Sequence, residues 1–175
     1  DGKRLSYYKS EIDAKSDMDI AVIIPSKTVF ELLKILKGDE NVNVAIVENQ
    51  VFFKKGNIEI ISNLLNSTFP DYEKVIPASL EHRFEVETDL FIDSVKRISS
   101  MADKLTNKVI LKINGDSTIT LYASSTDLGE AEDELNVSYN GEEFELAFNF
   151  AYLSDALKEI DQKITCFEFI SSRSP

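Results

Sequence analysis

Few residues in this sequence have the chemistry for catalysis. The one histidine, His82, stands beside Arg83 at the start of a strand-like run. In that setting it reads as an exposed strand start rather than a general base. The one cysteine, Cys166, lies in the alternating run Ile164-Thr165-Cys166-Phe167-Glu168-Phe169. Strand packing is its first reading and thiol chemistry its second. A single cysteine excludes an internal disulfide framework and fits a reducing cytoplasm. The acidic cluster Glu130–Glu134 has the carboxylates a divalent cation takes, which keeps a metal-dependent hydrolase open as an alternative. Acidic residues along one solvated strand and loop are far commoner. There is no Gly-rich phosphate cradle, no nucleophile elbow and no Cys/His metal spacing. With no base, nucleophile or metal site to name, the expectation is a protein that is not an enzyme and carries no cofactor.

Residues suited to binding are more plentiful. The segment Thr68-Phe69-Pro70-Asp71-Tyr72-Glu73-Lys74-Val75-Ile76-Pro77 carries two prolines seven residues apart. Each proline fixes φ and removes a backbone donor, so a regular helix or a central strand is ruled out and a rigid extended connector is predicted. Phe69, Tyr72 and Val75 are too apolar for a free linker, which makes the segment a place for a partner to dock or, more plainly, an ordered loop. A second group is basic. Lys27, Lys34 and Lys37 fall on the polar side of one predicted helix, and Lys96, Arg97 and Lys104 on that of another. Solvated helix faces have this composition too.

The elements that must position these residues follow a strand–helix–strands pattern. A strand over Arg4–Lys9 and another over Asp19–Ile24 lead to Pro25, with Ser26 as the expected N-cap of the next helix. Val29, Leu32, Leu33 and Leu36 form one apolar stripe, and Gly38 ends that helix. Val42–Val47, Val51–Lys54 and Ile58–Leu64 read as three strands, joined by turns at Glu48-Asn49-Gln50 and Lys55-Gly56-Asn57. After the connector come a strand at His82–Val86 and a helix over Asp89–Leu105, with Phe91, Val95, Ile98, Ala102 and Leu105 inward. Val109–Ile113 and Thr118–Ala123 form a hairpin, and Leu135–Tyr139 and Glu143–Phe148 are further strands. A helix over Phe150–Ile160 turns Leu153, Ala156, Leu157 and Ile160 inward, and Ile164–Ile170 is a last strand. At an offset of 124 residues, Ile20, Val22 and Ile24 match Phe144, Leu146 and Phe148. Val29, Leu33 and Leu36 likewise match Leu153, Leu157 and Ile160, so a strand–helix unit recurs.

Composition sets limits on partners. Of the 175 residues, 43% are hydrophobic, enough for a core, and 29% are charged. No apolar run reaches the ~18 residues of a membrane span. The net charge of −12 argues against simple electrostatic adhesion to nucleic acid. It is unevenly spread: the stretch 127–145 holds eight carboxylates and no lysine or arginine.

Asp1-Gly2-Lys3-Arg4-Leu5, Phe69-Pro70-Asp71-Tyr72 and Phe148-Asn149-Phe150-Ala151-Tyr152-Leu153 occur in this order. With the pattern between them, the chain resembles the bacterial DNA polymerase III beta subunit family, the sliding clamps, over essentially its whole length. The resemblance implies an α+β DNA-clamp (processivity) fold, with antiparallel sheets outside and two helices per domain inside. Residues 1–78 correspond to the later part of a middle domain plus connector. Residues 79–175 correspond to most of a third domain, so a fragment of a longer chain is expected, one that cannot close a ring alone. In the family the ring is a head-to-tail homodimer in the cytoplasm. It encircles double-stranded DNA without sequence specificity and tethers the DNA polymerase III catalytic subunit, the clamp loader and repair polymerases through short Gln- and Leu/Phe-containing motifs.

Carried over by position, the peptide groove comprises Gly2, Arg4, Leu5, Pro70, Lys74, Val75, Asn149 and Tyr152. Leu5, Pro70, Val75 and Tyr152 supply apolar area, and Arg4 and Asn149 orient the peptide. Lys3 stands where some members carry histidine. Lys74 stands where arginine is frequent, which removes a bidentate option. The DNA-facing set is Lys27, Lys34, Lys37, Lys96, Arg97 and Lys104. An acidic shell with locally basic helices suits a ring whose outside repels DNA. A peptide-binding adaptor with no DNA role is the alternative from a different class.

Overall fold

The structure, a computed structural model, describes residues 2–12, 20–38 and 41–171. They fall into two units: one spans Leu5 to Ile76, and the other runs from Pro77 onward and includes the first residues through Arg4.

The first unit is built on a three-stranded antiparallel meander of β1 (Asn43–Val47), β2 (Gln50–Lys55) and β3 (Ile58–Asn63). Both connections are two-residue turns. Val47 pairs with Gln50 and Lys55 with Ile58, and the turns bring Glu48 (φ 52°) and Gly56 (φ 57°) into the left-handed region. Helix α1 (Ser26–Ile35) is tied to this sheet by a 2.7 Å contact between the Thr28 and Ser62 hydroxyls. Pro25 takes the N-cap position expected for Ser26. Its fixed φ of −57° delivers the chain into the helix, and no side chain caps it. Of the predicted apolar stripe, Leu32 is buried, but Val29 and Leu33 are exposed. The predicted strands at Arg4–Lys9 and Ile20–Ile24 are absent (Asp19 lies outside the described residues). A strand needs a ladder partner, and among the described residues Ile23 accepts one backbone bond, from the Leu65 N–H at 2.9 Å.

The second unit holds the larger core. Strand β4 (His82–Glu87) pairs with β9 (Ile164–Phe169), and a four-stranded antiparallel sheet runs β7-β6-β5-β8. Its strands are β5 (Lys108–Asn114), β6 (Thr118–Ser125), β7 (Gly129–Asn136) and β8 (Phe144–Asn149). An isolated bridge between Glu85 and Ser138 links the two sheets. Strict alternation explains the core: Val109, Leu111 and Ile113 of β5 and Ile119, Leu121 and Ala123 of β6 all face one way and are buried. Register then places Leu111 between Leu121 and Leu146.

Helix α2 (Thr88–Ser99) covers that face with Phe91, Val95 and Ile98, and α3 (Phe150–Lys158) adds Leu157. Phe84 stacks on Phe167 at 4.9 Å and meets Phe91 edge-on. Both helices follow directly on strands, α2 on β4 and α3 on β8. Helix α3 begins at Phe150 and α1 at Ser26, the offset of the internal repeat. Only the later copy has a paired strand before its helix among the described residues.

Several expectations from the sequence differ from the structure of this unit. Helix α2 ends at Ser99, not Leu105. The Ser99 and Ser100 hydroxyls turn back onto the Lys96 and Arg97 carbonyls, and the Asp103 carboxylate accepts from the Leu105 and Thr106 amides. Lys104 therefore lies in a turn rather than on the helix, and Leu105 is 94% exposed. Strand β7 begins six residues before the predicted Leu135, because pairing with β6 from Ser125↔Gly129 to Thr118↔Asn136 overrides the low strand propensity of its glutamates. Ala156 and Cys166 are exposed, on the outer sides of α3 and β9. His82, expected to be exposed, sits half-buried between Phe144 and Phe169, at 4.4 and 5.1 Å, because the two rings flank it.

Candidate functional site

In the second unit the start of α3 is the organising feature. The Asn149 side-chain oxygen accepts from the Ala151 N–H at 2.9 Å and caps the helix. The Phe150 N–H donates to the Asn107 carbonyl, whose residue adopts φ 52°, so the helix start is fixed to the turn after α2. One turn in, Tyr152 and Asp155 share a helix face by their i,i+3 spacing. The Arg4 guanidinium lies over the Tyr152 ring, 4.5 Å from its centroid, and its Nη1 donates to Asp155 Oδ2 at 3.0 Å. Of the expected peptide-groove residues, Arg4 thus meets Tyr152 directly, Asn149 caps the same helix, and Gly2 precedes Arg4 with φ 84°. Asp155 was missed in the sequence. Its signals in the sequence are the three-residue spacing from Tyr152 and its match to Glu31 at the repeat offset of 124.

In the first unit, Leu5, Pro70, Lys74 and Val75 are all exposed. The connector is not extended throughout: Tyr72–Lys74 form a single 3₁₀ turn between the prolines, where neither proline blocks a short turn. Tyr72 gathers Tyr7 at 5.7 Å and Phe69 at 6.3 Å into an aromatic cluster. Lys74 Nζ pairs with Asp71 across that turn at 2.6 Å.

The expected DNA-facing cations are unequal. Lys34 is paired with Glu31 at 2.8 Å, and this partner holds the Glu31 carboxyl below its ordinary range. Lys37 lies beyond the end of α1, and its carbonyl accepts from Lys55 Nζ. Arg97 donates from Nε and Nη2 to Asp133 Oδ2 on β7, at 3.1 and 2.5 Å. Partial burial pushes the Asp133 carboxyl up. The Ser94 hydroxyl, buried without a well-formed hydrogen bond, and Arg97 outweigh this and leave it below its usual value. Lys27 and Lys96 are exposed on α1 and α2.

The Tyr122 hydroxyl donates to Glu130 Oε2 at 2.9 Å, and the outward acids of β7 line a sheet edge, where charge discourages further strand pairing. Among the described residues, no three His, Cys, Asp or Glu side chains converge as a metal cradle, and no helix is long and apolar enough to cross a membrane.

Antiparallel sheets carrying a helix pair, with a strand feeding each helix directly, define the clamp fold, and the solved structures agree. A DNA polymerase sliding clamp from Bacillus subtilis superposes with a TM-score of 0.88 at 28% identity, over 94% of this chain and 44% of that one. A DNA polymerase III subunit beta sliding clamp from Bartonella birtlesii gives 0.85 at 32% identity, over 92% and 47%. Residues 1–71 match the central domain, and residues 73–175 the C-terminal domain, of the DNA polymerase III beta subunit. The chain belongs to the DNA polymerase III beta subunit family. The beta sliding clamp of Staphylococcus aureus is 32% identical over the whole of this chain and 47% of its own length. The chain thus spans about half the length of the curated relatives it matches.

Proposed function

We propose that this chain serves as part of a bacterial sliding clamp, a processivity factor that works by topology rather than by chemistry. The full-length protein forms a head-to-tail homodimeric ring around duplex DNA in the cytoplasm. It holds the replicative polymerase, the clamp loader and repair polymerases through short peptide motifs. The observation that carries this reading is the succession of central-domain and C-terminal-domain signatures along one chain. A non-catalytic role follows from what encirclement requires, which is closure and loose contact.

Peptide recognition falls to Gly2, Arg4, Asn149 and Tyr152 in one unit and Leu5, Pro70, Lys74 and Val75 in the other. Tyr152 and Leu5 supply anchoring surface, and Arg4 supplies directed donors. In support, another Bartonella birtlesii sliding clamp, 32% identical to this chain with a TM-score of 0.82, was solved bound to griselimycin. DNA contact falls to Lys27, Lys34, Lys37, Lys96, Arg97 and Lys104, through phosphates alone, because base readout would stop the ring from sliding.

The test is retention of the full-length protein, loaded by its clamp loader, on circular but not linearised DNA. Equal loss from both would remove the topological reading. Retention on neither, with intact peptide binding, would favour a peptide adaptor.

A further inference from the structure

Arg4 and Tyr152 belong to the expected peptide site, but nothing in that expectation says what orients Arg4. A long side chain at a chain segment without regular structure samples many rotamers unless it is held. Here it is held from two directions, by the ring face of Tyr152 and by the Asp155 carboxylate. The helix fixes both anchors, since positions i and i+3 of α3 sit one above the other. The Asp155 side chain is 60% exposed and that of Arg4 42%, so the pair is a weak bond and its use is geometric rather than stabilising.

We infer that Asp155 is a positioning residue for peptide recognition, holding the Arg4 guanidinium over the Tyr152 ring. This rests on the peptide-site reading given above. The guanidinium is then presented as a planar donor group beside an aromatic wall, suited to a carbonyl or carboxylate oxygen next to an apolar side chain. An incoming peptide meets an arginine already in place and loses less conformational freedom on binding.

Two readouts separate the positioning role from the peptide-site reading. The first needs no peptide. In wild type, the Arg4 δ-methylene protons carry an upfield ring-current shift from Tyr152, with Tyr152→Leu as the zero reference. In Asp155→Asn the shift collapses toward that reference. The second is a fluorescence titration with a labelled hexapeptide containing Gln, Leu and Phe. Asp155→Asn weakens binding about three- to fivefold, the loss of one exposed pair. The same substitution adds nothing in an Arg4→Ala background. An unchanged ring-current shift in Asp155→Asn overturns the proposal, as does equal weakening in the Arg4→Ala background. If the wild-type chain binds no peptide, the peptide-site reading fails, and the ring-current shift alone decides whether Asp155 positions Arg4.

Discussion

Arg97 is the expected DNA-facing cation with the best-defined partner, and replacing Asp133 tests whether that pairing matters. Two guanidinium donors converge on one oxygen of the Asp133 side chain, which is 26% exposed. A charge-assisted pair of this geometry, fully buried, contributes about 1.5–3 kcal/mol. Arg97 is 57% exposed, so water recovers much of its solvation when Asp133 is lost, and screening brings the net effect to about 1 kcal/mol. Asp133→Ala is therefore expected to lower the melting temperature by about 4–8 °C for a unit of about 100 residues.

The pH dependence has a definite sign. The folded Asp133 carboxyl lies below its unfolded value, so its contribution is complete above the unfolded value near 3.9 and fades as pH falls through the folded one. The difference between wild type and Asp133→Ala thus persists at pH 7 and closes in acid below that point. Differential scanning calorimetry at low salt, on wild type, Asp133→Ala, Arg97→Ala and the double variant, isolates the pair. Full additivity of the two single variants, or a wild-type advantage that grows rather than shrinks as the solution is acidified below the unfolded carboxyl value, refutes the reasoning. Freeing Arg97 in Asp133→Asn should also steepen the salt dependence of DNA affinity by about 0.9 in log–log slope, if the six cations face phosphate.

Other substitutions probe the core, the helix start and the peptide site. Phe84→Ala removes a fully buried ring stacked on Phe167 and should cost about 3–5 kcal/mol, read as a lower denaturant midpoint with the slope kept; a change under 1 kcal/mol would contradict the packing described. Asn149→Ala deletes the α3 cap and should cost about 1 kcal/mol, whereas Asn149→Asp, which can still accept from the Ala151 N–H, should recover most of it in thermal melts. In peptide titrations Leu5→Ala should weaken binding about fivefold, for about 1 kcal/mol of lost apolar contact. Lys74→Ala should stay within about twofold, because this lysine is 81% exposed and already paired with Asp71. The reverse order of those two effects would shift the anchor of recognition from the apolar residue to the cation.

Periodicity alone determined the meander β1-β2-β3, the hairpin of β5 and β6, and the helical faces of Phe91, Val95, Ile98 and Leu157, because alternation and i,i+3/i+4 spacing are local properties. The family, too, was legible in three short motifs. Long-range pairing decided the rest. Strand β7 forms despite its glutamates because β6 supplies a register for it, while the apolar run at Ile20–Ile24 has no paired strand among the described residues. The serine hydroxyls and the Asp103 carboxylate end α2 early and place Lys104 in a turn, a competition among hydrogen bonds that no apolar period records. The meetings of Arg4 with Asp155 and of Arg97 with Asp133 join residues 151 and 36 positions apart. Charge type suggests such pairs in any sequence, but only the packing of one element on another selects which of them form.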